Sequence, residues 1–109
     1  MRLPTHLLVG ALVRRANDVG GFGAVRASGE AQSGALLILL DDNGRMRAIE
    51  RMRGLDDRDT LIPAGPTDAT DSAMDEYWRG RRSRDPDLWV VELTVADGER
   101  FVAETIGVD

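Results

Sequence analysis

Asp85-Pro86-Asp87-Leu88-Trp89-Val90-Val91-Glu92-Leu93 follows directly on the arginine-rich segment Arg79-Gly80-Arg81-Arg82-Ser83-Arg84. The Pro86 ring removes a backbone donor and disfavours helical geometry at Asp85, so a helix arriving through the arginines must end there. Beyond it, residues 88–95 are rich in β-branched and aromatic side chains and predict a central strand. Alternation places Trp89, Val91, Leu93 and Val95 on one face, uniformly apolar and core-facing, and Leu88, Val90 and Glu92 on the other.

Upstream, residues 5–19 repeat apolar side chains at helical spacing. Thr5 reads as the N-cap, Leu8, Leu12, Ala16 and Val19 as the inward stripe, and Gly20-Gly21 as the stop. His6 falls in the exposed first turn with no partner in sequence for catalysis. Residues 22–27 suit a short strand and 28–34 a loop. The apolar run 35–40 is too short for an independent helix and reads as a second strand. Asn43-Gly44 signals a tight hairpin, since both residues accept positive φ. The return strand, 45–52, alternates Met46, Ala48 and Glu50 against Arg45, Arg47, Ile49 and Arg51, which suggests a sheet edge with arginines toward solvent.

Residues 53–69 contain Gly54, Pro63, Gly65 and Pro66 and read as an irregular surface loop. Thr70-Asp71-Ser72 caps a second helix running to Arg84, with Met74, Tyr77, Trp78 and Arg81 inward. Its acidic start and basic end suit the helix dipole without any ligand. Asp97-Gly98 makes a turn, and 99–106 is a short terminal element, helix or strand, anchored by Phe101 and Val102. The order is helix, three-stranded antiparallel meander, helix, further strand and short terminal element, with the helices on one face of the sheet: an α+β class.

With 109 residues and no linker, a single domain over 1–109 is expected. The chain is 42% hydrophobic and 30% charged, the balance of a globular protein. It lacks cysteine, which removes thiolate metal sites and cysteine nucleophiles, and its single histidine removes histidine clusters. All 14 basic residues are arginine, which removes Schiff-base and phosphate-loop lysine chemistry. A net charge of −5 opposes non-specific nucleic-acid binding. No run approaches the roughly 18 apolar residues of a membrane span, and the N-terminus does not read as a signal peptide. A cytoplasmic location without membrane or cofactor is the expectation.

The opening Met1-Arg2-Leu3-Pro4-Thr5, the Arg14-Arg15-Ala16 step, Gly34-Ala35, the Tyr77 helix with its arginine tail, and Asp85-Pro86-Asp87-Leu88-Trp89-Val90-Val91-Glu92 together resemble a family of short uncharacterised bacterial proteins, catalogued as a domain of unknown function. The resemblance covers nearly the whole chain and implies a small cytoplasmic bacterial protein. It brings no activity with it.

Three functional classes compete. By elimination the leading one is a non-enzymatic protein-interaction module, with a protein partner or a homodimer. The alternative is binding of nucleic acid or a phosphate anion through Arg79, Arg81, Arg82 and Arg84, joined by Arg14 and Arg15 and with Tyr77 or Trp78 as a stacking surface. Helix, three strands and helix is also the order of a double-stranded-RNA-binding domain, but the loop lengths and lysine-rich terminus of that domain are missing. A remote alternative is a magnesium-dependent nuclease. Pro86-Asp87 and Glu92 mimic part of such a motif, yet Thr94 stands where its lysine belongs and alternation sends the two acids to opposite faces.

Overall fold

The computed structural model describes residues 3–53, 56 and 58–107, with residue 53 described in its backbone alone. In chain order the elements are α1 (Thr5–Asp18), β1 (Phe22–Ala27), β2 (Leu36–Asp42), β3 (Arg45–Arg53), β4 (Asp59–Ala69), α2 (Asp71–Arg84), β5 (Trp89–Thr94) and α3 (Gly98–Ile106). The five strands form one sheet in the order β1-β5-β2-β3-β4. β2 and β5 run parallel, and the other neighbours are antiparallel. The α+β class holds, with a mixed sheet.

The expected meander is corrected in its first step. β1 pairs with β5, which inserts between β1 and β2, while β2, β3 and β4 form the antiparallel run. The cause lies in β5: Val90 and Val91 are both fully buried, so the strand needs cover on both faces and an interior place. The same logic corrects the helix arrangement. Leu36, Ile38 and Leu40 of β2 join α1 and α3 in one core. Leu37 and Leu39 join Met74 and Trp78 of α2 in another. The helices therefore cover both faces, as the uninterrupted apolar run of β2 requires.

β4 occupies most of the segment expected to be an irregular loop; the part around Gly54 lies outside the described residues. Pro63 and Pro66 are tolerated because β4 is an edge strand, where a missing backbone donor need not break a ladder. Gly65 adopts φ +67 against the Tyr77 ring, which leaves no room for a Cβ. With β4 outside it, β3 is interior rather than an edge, and Arg51 is buried at 9% exposure, donating to Thr5 Oγ1 at 3.1 Å.

Thr5 is therefore not the α1 cap. Pro4 holds that position, and Thr5 is buried in the first turn, its hydroxyl donating to the Gly34 carbonyl at 2.9 Å. Leu8, Leu12 and Ala16 face the core as expected, but Val19 lies beyond the helix and is 64% exposed. α2 begins where expected: Thr70 Oγ1 accepts from the Ala73 N–H at 3.1 Å. The hairpin also forms as expected, with Asn43 and Gly44 both at positive φ. The terminal element is a helix, α3, anchored by the fully buried Val102.

A candidate interaction groove

Three chain turns meet at one end of the sheet. The first is Val19-Gly20-Gly21-Phe22, between α1 and β1. Gly20 takes φ +84, and the Gly21 N–H returns to the Ala16 carbonyl at 2.9 Å. A Cβ on Gly21 would lie 2.4 Å from the Thr94 carbonyl oxygen, so only glycine lets this turn close onto the end of β5. The second turn is the β2–β3 hairpin, where Asp41 Oδ1 accepts from the Gly44 N–H at 2.8 Å. The third joins β5 to α3 and is followed by Phe101.

Between these turns lies a groove of about 770 Å³. Its floor and walls come from Val19, Phe22, Val95, Ala96 and Phe101, and its lip from Asp41, Asp42 and Asn43. Val19 and Phe22 are 64% and 48% exposed, so two large apolar side chains face water at the groove itself. Among the described residues no basic side chain lines it. Sequence reasoning missed this site because it sent Val19 inward; the available signal was an apolar pair flanking Gly20-Gly21, which ends the helix before Val19 can turn to the core.

A second cleft, of about 540 Å³, lies between β3, β4 and α3. Its arginines are already neutralised: Arg47 reaches Glu99 and Arg100 reaches Glu104, each at 2.9 Å.

The arginines singled out from sequence are dispersed. Arg81 makes a two-pronged ion pair with Glu50 of β3, at 2.7 and 3.2 Å, and also donates to the Tyr77 hydroxyl. The Glu50 carboxylate holds its guanidinium pKa above the ordinary arginine range. Arg82 donates to the Ser28 carbonyl at 2.8 Å. Arg79 stacks over Trp78, 4.6 Å from the ring centroid, and Arg84 is exposed. Trp78 is buried, with its Nε1–H donating to Asp75 at 3.0 Å, and so offers no open face for a base. Arg14 and Arg15 belong to α1, on the opposite side of the sheet from α2. Arg15 packs over Phe101 and donates to the Thr105 hydroxyl.

The acids of the nuclease-like motif are not brought together either. Glu92 projects to the α2 side and pairs with Arg26 at 3.2 Å, while burial pushes its carboxyl pKa up. Asp87 lies in the connection before β5, where its carbonyl accepts from the Glu30 N–H at 3.0 Å. Gly29 and Gly34 pack so closely under that carbonyl that no Cβ fits at either. Trp89 Nε1 donates to the Glu30 carbonyl at 2.7 Å. The Asp-Pro-Asp-Leu-Trp string thus clamps the 28–34 loop. Among the described residues no three histidine, cysteine or carboxylate side chains converge as metal ligands.

The family described as "Protein of unknown function (DUF1491)" matches residues 3–103. A crystal structure of a DUF1491 family protein from Caulobacter crescentus CB15 is similar at TM-score 0.80 and 32% identity, covering 91% of this chain and 94% of that one. An NMR structure of a DUF1491 family protein from the same organism gives 0.76 and 33%, covering 93% of each chain. The solution structure of protein Atu0922 from A. tumefaciens gives 0.73 and 25%, covering 99% of this chain and 95% of that one. No curated protein matches the chain. A match across residues 3–103, with the same fold in relatives about a third identical, establishes that this chain belongs to the DUF1491 family.

Proposed function

We propose that the protein is a non-catalytic protein-interaction module whose contact surface is the groove between the α1–β1 turn, the β2–β3 hairpin and α3. The observation that carries this reading is the exposure of Val19 and Phe22, 64% and 48%, at the mouth of a concavity of about 770 Å³. Exposed apolar side chains scattered singly are ordinary, but two that line one groove mark a surface that gains from being covered. Strand addition is a weaker route to a partner, because both sheet edges are blunted. β4 carries Pro63 and Pro66. On β1, Asn17 Oδ1 accepts from the Gly23 N–H at 3.2 Å and its Nδ2 donates to the Gly23 carbonyl at 3.3 Å.

Binding of nucleic acid or a phosphate anion through 79–84 has less support, since Arg81 and Arg82 already serve internal partners. One experiment separates the two readings: site-directed photocrosslinking in living cells, with the photoreactive residue placed at position 19 or at position 84. A discrete protein adduct at 19, lost when Phe22→Ser is added, is the expected result. Adducts formed only at 84, or formed with nucleic acid, would overturn the proposal.

A further inference from the structure

We infer that the segment seated in this groove is basic as well as apolar: a stretch of a partner protein carrying one bulky apolar side chain flanked by arginine or lysine. The inference rests on the groove being the contact surface and adds the partner's chemistry. A volume of about 770 Å³ holds a large side chain with its neighbours. Its apolar walls select that anchor.

The lip supplies the charge preference. Asp42 projects from a hairpin whose backbone is fixed by positive φ at Asn43 and Gly44, so its carboxylate is presented by a defined turn. Asp41 shares the α2 face of β2 with Leu37 and Leu39 and spends one oxygen on the Gly44 N–H, which leaves the exposed Asp42 carboxylate for a partner. Among the described residues no arginine lines the groove to neutralise it, in contrast to the cleft beside α3, where each guanidinium already has its carboxylate. The chain's net charge of −5 adds a long-range field of the same sign. An acidic segment would meet uncompensated repulsion here, and a neutral one would leave the lip unused.

The test uses the ¹⁵N-labelled full chain titrated with three tryptophan-centred pentapeptides whose flanks are arginine, glutamine or glutamate. The arginine peptide should shift the amide resonances of Gly20, Gly21, Phe22, Asp42 and Asn43. It should bind about threefold more tightly than the glutamine peptide at low salt, the scale of one exposed ion pair. That advantage should vanish in Asp42→Asn, and the glutamate peptide should not bind. Equal binding of the arginine and glutamine peptides at the groove overturns the charge preference while the groove stands. Shifts confined to α2 overturn both readings. Self-association that Val19→Ser abolishes, with no peptide response, assigns the groove to a second copy and also overturns this inference.

Discussion

Gly29 and Gly34 both sit under the Asp87 carbonyl, and the crowding there is between backbones. A Cβ on Gly29 would lie 2.0 Å from the Asp87 oxygen, and one on Gly34 would lie 2.3 Å from it. Backbone cannot swing aside as a side-chain terminus can, so Gly29→Ala must open the clamp that holds the 28–34 loop to the start of β5. Overpacking of this kind costs about 1–3 kcal/mol and occasionally more. Urea denaturation should show a lowered midpoint with an unchanged slope, and a midpoint matching the wild type would mean the clamp is not needed. Glu92 is the residue whose ionisation should register in stability. Burial holds its carboxyl above the ordinary 4.5, against the opposing pull of Arg26. The folded state then binds this proton more tightly than the unfolded chain does. Its contribution to stability is therefore largest at low pH and falls as pH rises from 4.5 through the raised folded pKa. Gln mimics the protonated acid and does not titrate, so the stability of the wild type minus that of Glu92→Gln, followed by denaturation from pH 4 to 7, should fall in that direction. A wild type that instead gains stability relative to Glu92→Gln as pH rises would show the Arg26 pair prevailing over burial.

At the scale of elements, the segments legible in sequence were those whose signals are local. The Thr70 cap, the Pro86 stop after Arg84 and the Asn43-Gly44 hairpin each depend on a few neighbouring residues, and all three formed where expected. β4 was hidden because Pro63, Gly65 and Pro66 signal a break locally, and only its place outside β3 turns them into edge-strand residues. The groove was hidden for a related reason, since Val19 continues the apolar rhythm of α1 yet falls after the helix has ended. Asn17 shows the converse: in sequence it is one polar residue near a helix end, and in the fold it occupies the free side of an edge strand. Its side chain satisfies both the N–H and the carbonyl of Gly23 and also donates to the Val13 carbonyl at 2.9 Å. Asn17→Ala would uncover those β1 groups and leave a pairing edge. Sedimentation velocity should then show concentration-dependent association that is weaker or absent in the wild type. An equally monodisperse variant would indicate that the β-bulge between Val25 and Ala27 protects the edge unaided.

Across the whole molecule, the governing fact is that the last strand in sequence is an interior strand in space. β5 sits between β1 and β2, pairing Val91 with Val25 on one side and with Ile38 on the other. Its face toward α1 and α3 contributes Trp89, Val91 and Leu93 to one core, and its other face contributes Val90 to the second. Without it, β1 and β2 each lose a ladder, and both apolar layers lose a central row. The remaining β2–β3–β4 run with α2 would carry Leu36, Ile38 and Leu40 on a face from which α1 has lost its continuous support. Folding is therefore expected to require β5, and its parallel pairing with β2 demands closure of a long crossover before any reward is gained. A chain truncated after Arg84 should show no cooperative thermal transition and poorly dispersed amide resonances. A fragment that melted cooperatively with a dispersed spectrum would place the folding unit within β2, β3, β4 and α2 and make β5 a late addition.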